Sequence, residues 1–232
     1  MNAVRIVRLI GILLLFLIST IAPCGLVVEG KHMVIQESQP CVLVTGFEPF
    51  GNYDVNPSQL IAEALNGREI KGARIIGIVL PVNFTESVAV VTQAIEEYHP
   101  LIVLSIGLAA SSKCVRVENV GLNVKRDPNE TGIKRLNRSG PLVRFSSLPS
   151  AVIVKELKSS GISVRQSWFA GSYVCNALLY GVLGYITNHN LDTHMGFLHI
   201  PLLSSQNPQG MKLQTLINAT QIVITVSLQE IE

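Results

Sequence analysis

The chain has 232 residues, 48% of them apolar and 15% charged, with a formal net charge of +2. Lysines and arginines are scattered rather than gathered into a stripe, which removes nucleic acid as an expected partner. The four cysteines lack the paired spacing of a disulfide framework or a zinc site, and so few charges on so apolar a chain suit a tightly packed or oligomeric protein.

Arg5 and Arg8 stand ahead of an apolar run at 9–21, broken only by Gly11, Ser19 and Thr20 and followed by Ala22-Pro23-Cys24-Gly25. A basic flank, a short apolar run and small residues mark a signal peptide or membrane anchor, although the run falls short of the ~20 residues a spanning helix needs. Pro23 fits poorly with the lipoprotein cleavage site that Cys24 would imply. Residues 1–30 therefore read either as a leader or membrane anchor, or as an extension upstream of a true start at Met33. The first reading implies export or membrane contact; the second removes the only targeting signal.

A β-like run at 41–45 opens the remainder and leads to Phe47 and Phe50, aromatics that either pack at a strand tip or line a ligand slot. Asn56-Pro57-Ser58 starts a helix over 57–66, with Asn56 as N-cap and Pro57 in the first turn. A strand at 74–79, a helix at 85–98 stopped by Tyr98-His99-Pro100, and a strand at 101–106 follow. Alternation around Val115 and Val117 predicts a strand over 115–124, on which Glu118, by spacing alone, is an ordinary exposed carboxylate. Residues 125–147 are polar and aperiodic, a loop over the active site or a poorly ordered excursion. Then come a helix at 149–160, a strand at 163–167, a helix at 174–188, a strand at 195–200 and a helix at 210–227. This alternation predicts one α/β domain over 38–232, with helices on both faces of a largely parallel mixed sheet.

Chemistry concentrates late in the chain. In Phe169-Ala-Gly-Ser-Tyr-Val-Cys175-Asn176, a strand meets small residues and a helix begins near Val174, placing Cys175 in the first helical turn. Unpaired N–H groups and the helix dipole there are expected to stabilise a thiolate and lower the thiol pKa from about 8.5. Cys175 taken alone reads more readily as a small buried hydrophobe, as most free cysteines are. In Gly196-Phe-Leu-His199-Ile-Pro201 a single imidazole sits at the carboxyl end of an apolar strand, the edge where open α/β sheets bind ligands. Helix-borne thiol and strand-end imidazole together suggest nucleophile and base. His189 and His194 have no cysteine or carboxylate at ligand spacing, so no metal is expected.

Three blocks in order carry a resemblance: Val42-Leu-Val-Thr-Gly-Phe47-Glu-Pro-Phe50-Gly51 with Asn56-Pro57-Ser58, then Glu118-Asn-Val-Gly-Leu-Asn123, then the Cys175 and His199 pair. The chain resembles the pyrrolidone-carboxylate peptidase (pyroglutamyl peptidase I) family of cysteine peptidases, which remove N-terminal pyroglutamate. The resemblance implies an α/β/α sandwich that forms dimers or tetramers, a cytoplasmic setting, peptide substrates bearing pyroglutamate and no cofactor. It also implies that Cys175 is the nucleophile, His199 the base and Glu118 its orienting carboxylate. Phe47, Phe50, Val174 and Tyr173 would line the lactam slot, with the backbone near Leu108 and the side chain of Asn56 bonding the ring. Two departures stand out. Where the family has a glycine-rich loop ending in arginine, this chain has Gly107-Leu-Ala-Ala-Ser-Ser-Lys113, and a following segment is shortened to Arg126-Asp-Pro-Asn129. Arg126 is the candidate for oxyanion stabilisation beside the Cys175 N–H. Losing one oxyanion donor costs about 100- to 1000-fold in turnover, so these changes bear on rate more than on fold. The alternative they raise is a weakened, membrane-tethered or exported homologue that binds pyroglutamyl groups.

Overall fold

The computed structural model describes residues 39–129 and 131–231; the leader at 1–30 and the Met33 start lie outside them. In chain order the elements are β1 (Cys41–Phe47), α1 (Pro57–Leu65), β2 (Glu69–Ile70), β3 (Ala73–Leu80), α2 (Glu86–Tyr98), β4 (Ile102–Leu108) and β5 (Val115–Glu118). There follow β6 (Val120–Leu122), β7 (Val143–Phe145), α3 (Ser150–Ser159), β8 (Val164–Ser167), α4 (Val174–Asn188), β9 (His194–Ile200) and α5 (Leu213–Ile231). Among the described residues no helix is long and apolar enough to cross a membrane.

Seven strands form one sheet in the order β2, β3, β1, β4, β9, β5, β8, and β6 pairs with β7 in a separate ribbon. β3, β1, β4 and β9 run parallel, as do β5 and β8; β5 is antiparallel to β9, and β2 to β3. β1 and β4 are buried along their whole length, as central parallel strands covered on both faces must be. Alternate side chains serve opposite layers. Val42, Val44, Leu104 and Leu198 pack with α1, α3 and α5, whereas Leu43, Val103 and Phe197 pack with α2 and α4. The result is the predicted three-layer α/β/α sandwich.

The connections place a crevice. From β1 the chain passes through α1 to β3 on one side, then returns through α2 to β4 on the other side of β1. Pairing between β1 and β4 ends at Thr45 and Ser105, where the two hydroxyls bond at 2.8 Å, although β1 continues to Phe47 and β4 to Leu108. An unpaired notch is left at the carboxyl ends of two strands whose connections diverge, the topological switch point at which such sheets bind ligands.

The structure corrects the sequence reading at residues 115–124, where one strand was expected and two are found. Asn119 is the break: its N–H donates to the Ser167 carbonyl at 2.8 Å, continuing the β5–β8 ladder, while its carbonyl accepts from the Ser146 N–H at 2.8 Å, beside β7. One residue thus hands the chain from the main sheet to the ribbon. β7 itself lies within the stretch read as loop, and that stretch is tied down. Asn123 Nδ2 donates to the Asn137 carbonyl at 2.7 Å, and Asn137 N–H donates back to Asn123 Oδ1 at 2.8 Å.

Candidate active site

β5 and β9 pair with Arg116 opposite His199 and Glu118 opposite Phe197. Opposed residues project to one face of a sheet, so Arg116, Glu118 and His199 share the face that α4 covers. Glu118 is fully buried and His199 is 4% exposed. His199 Nδ1 donates to Glu118 Oε1 at 2.7 Å; a carboxylate can only accept, so the proton sits on Nδ1 and the Nε2 lone pair is left for another partner. Burial holds the imidazole below its ordinary 6.5, outweighing the upward pull of the Glu118 bond and charge, and Arg116 lowers it further.

The thiol arrives from the layer above. Gly171, at φ +85°, makes the turn into α4. The helix begins at Val174 with Tyr173 at the N-cap position and no side chain bonding its first turn. Cys175 projects onto Gly107, where an added Cβ would stand 2.8 Å from the sulfur and 2.9 Å from Phe197 Cζ. Only glycine leaves room for that approach. Gly107 is the register partner of His199 across β4 and β9, so thiol and imidazole lie over adjacent strands at the same level of the sheet. Glu118, by sequence an exposed carboxylate, is the buried third member.

One expectation fails. The Cys175 thiol is pushed up to about 12, chiefly by burial and then by the Glu118 charge, which outweigh the lowering by its own backbone N–H and by Arg116. Cys175 is the second residue of α4 and keeps the lowering by its own N–H, but burial against Gly107 and Phe197 outweighs it. Burial thus favours the neutral form of both the thiol and the imidazole.

The expected slot residues differ in burial and in what they touch. Phe47 and Val174 are 2% and 1% exposed and belong to the core between the sheet and α2–α4. Leu108 ends β4 beside the notch. Phe50 is half-buried and edge-on to Tyr53, and exposed Tyr173 stands edge-on to Phe84 at 5.2 Å. Asn56 caps α1: its Oδ1 accepts from the Ser58 N–H at 3.1 Å and hydroxyl at 2.8 Å, and its Nδ2 donates to the Glu48 carbonyl at 3.0 Å. Arg126 is exposed, and its backbone N–H donates to the Ser172 carbonyl at 2.7 Å, which holds the residue at the entrance to α4. A separate cleft of about 520 Å³, lined by Phe84, Val88, Arg144 and Tyr180 among others, contains none of Cys175, His199 and Glu118.

Asn176 was named in the motif but given no role. It is fully buried; its Oδ1 accepts from the Leu122 N–H, and its Nδ2 donates to the carbonyls of Leu122 and Val124, each at 2.8 Å. These bonds pin the first turn of α4, which carries Cys175, to β6 and the residues after it. Asn176→Leu strands the Leu122 N–H and the Val124 carbonyl at about 1 kcal/mol or more apiece, while the Leu122 carbonyl keeps its 2.8 Å bond from the Val124 N–H, so a loss of about 2 kcal/mol is expected in urea unfolding. A loss below 1 kcal/mol would mean that water replaces the amide.

The sequence model of the pyroglutamyl peptidase family matches residues 41–230. The chain belongs to the pyroglutamyl peptidase family. A pyrrolidone-carboxylate peptidase of Bacillus cytotoxicus is 36% identical over 199 residues, covering 81% of this chain and 93% of that protein. One from Yersinia pestis is 34% identical with the same coverage. Among solved structures, pyroglutamyl peptidase I of Bacillus amyloliquefaciens superposes with a TM-score of 0.79 at 31% identity, covering 84% of this chain and 99% of that one. The pyrrolidone carboxyl peptidase of Thermococcus litoralis gives 0.78 at 30% identity, over 82% of this chain and 94% of its own. The family match ends one residue short of the end of α5 and begins with the first residue of β1, so it takes in the whole sandwich.

Proposed function

We propose that this chain hydrolyses the amide that follows an N-terminal pyroglutamate, through a thioester on Cys175. The observation that carries the reading is the buried Glu118–His199 bond, level with the Cys175 sulfur and beside the β1–β4 notch. His199 Nε2 takes the thiol proton as the sulfur attacks the acyl carbon. The oxyanion meets the uncapped first turn of α4, with Arg126 as a second donor. The imidazolium then protonates the leaving amine, and water, deprotonated by the same imidazole, releases pyroglutamate and restores the thiol. Glu118 keeps the proton on Nδ1 throughout, which holds the correct tautomer. Phe47, Phe50, Val174 and Tyr173 suit the two methylenes of a lactam, and the Leu108 backbone and the Asn56 amide suit its polar edge.

A site that bonds the ring carbonyl discriminates against proline, which lacks it, because its own polar groups are left unpaired. The full chain is expected to cleave the pyroglutamyl amide of aminomethylcoumarin with kcat/KM on the order of 10⁴ above the prolyl amide. Comparable rates on both would replace this reading with a thiol amidase of another acyl preference.

A further inference from the structure

Glu118 raises a question of charge balance. A fully buried carboxylate needs a cation, and two are within reach: His199, if it took up a proton, and Arg116. Arg116 is the register partner of His199 on β5 and lies two residues before Glu118, on the same face. Its Nε stands 3.5 Å from Glu118 Oε1, the oxygen that His199 also engages. Both Arg116 Nε and Glu118 Oε2 are buried without a hydrogen-bond partner. The guanidinium therefore acts on the carboxylate as a charge rather than as a hydrogen-bonded clamp.

We propose that Arg116 is a positioning residue for the reaction, supplying the permanent counter-charge of Glu118 so that His199 need not supply it and rests neutral. The inference depends on the catalytic roles given above to Glu118, Cys175 and His199. A guanidinium stays protonated at any working pH, so the carboxylate is balanced before the imidazole titrates. Nε2 then keeps the lone pair that must accept the thiol proton. Among the described residues the charged and titratable groups around the imidazole are few: Arg116 and Glu118 from β5 and Cys175 from α4, with β4 offering Val103, Ser105 and Gly107, none of them charged, on that face. Without Arg116, the cheapest cation for Glu118 is an imidazolium, which cannot act as base.

Arg116→Met keeps the length and apolar stem and removes the charge, and Arg116→Lys keeps the charge. His199 ring C–H signals in the full chain, followed by NMR against pH, read the imidazole independently of turnover. In the native protein the midpoint lies below 6.5. In Arg116→Met it moves up by about one pH unit or more, the effect of removing a charge at this range, and the acid limb of kcat/KM moves with it; Arg116→Lys stays near native. Activity of the Met variant thus falls more at pH 6 than at pH 8. An unmoved midpoint in a folded Met variant overturns the proposal. A shifted midpoint in Arg116→Met, together with a native protein that cleaves no pyroglutamyl amide, would leave the charge balance standing and remove the peptidase reading instead. Should Arg116→Met not fold, Arg116→Gln gives the same reading.

Discussion

Cys175→Ala is expected to lower kcat on pyroglutamyl amides by on the order of 10⁵-fold or more, the scale seen when a hydrolase nucleophile is removed, with unfolding stability little changed. The loss is large because nothing else on that face can replace the sulfur. The thiol stands against Gly107 and Phe197, and the other side chains at its level are Arg116, Glu118 and His199. Burial and the Glu118 charge push the thiol up to about 12, which favours the protonated sulfur, so the proposed attack relies on His199 to take the proton as the sulfur–carbon bond forms. Cys175→Ser tests the same point: a hydroxyl is a poorer nucleophile and harder still to deprotonate, so it should rescue almost none of the loss. Substantial turnover by either variant would show that the acyl group is never carried on residue 175.

What the sequence disclosed and what it concealed divide along local and non-local lines. Cys175 and His199 stood out because each sits where one element ends and another begins, and the residues that set this, Gly171 with the helical run after it and Pro201 after the strand, are neighbours in the chain. The strand–helix alternation gave the layers for the same reason. Glu118 could be named only by resemblance, since its burial depends on β5 lying antiparallel to β9, a pairing between residues 81 positions apart. Arg116 carries no local mark of a role, because nothing in its neighbourhood says that the strand has a second buried face. The thiol pKa went astray in the same way: the helix terminus that lowers it is local, whereas the burial and the Glu118 charge that raise it are tertiary. Asn119 hid the split between β5 and β6 because its N–H and its carbonyl serve different sheets.

Glu118→Gln is expected to move two readouts of the same site in opposite directions. Turnover falls by about 10⁴-fold, the scale found when the carboxylate of a nucleophile–histidine–carboxylate triad becomes an amide, because an amide N–H can face Nδ1 and force the proton onto Nε2. An imidazole in that tautomer has no lone pair for the thiol. Thiol reactivity should rise. The Glu118 charge is the second cause, after burial, of the raised Cys175 pKa, and with it gone Arg116 acts on the sulfur unopposed. Alkylation by iodoacetamide at pH 9 follows the thiolate fraction, so the variant should react faster than the native protein while hydrolysing more slowly. An unfolded variant would also expose the thiol and alkylate faster, so the comparison is made on protein whose circular dichroism and unfolding midpoint are native; in such a folded variant a role for Glu118 in folding alone would change neither process. If alkylation slows in step with hydrolysis while the fold stays intact, the carboxylate supports the sulfur rather than the imidazole, and the order of the three groups must be redrawn.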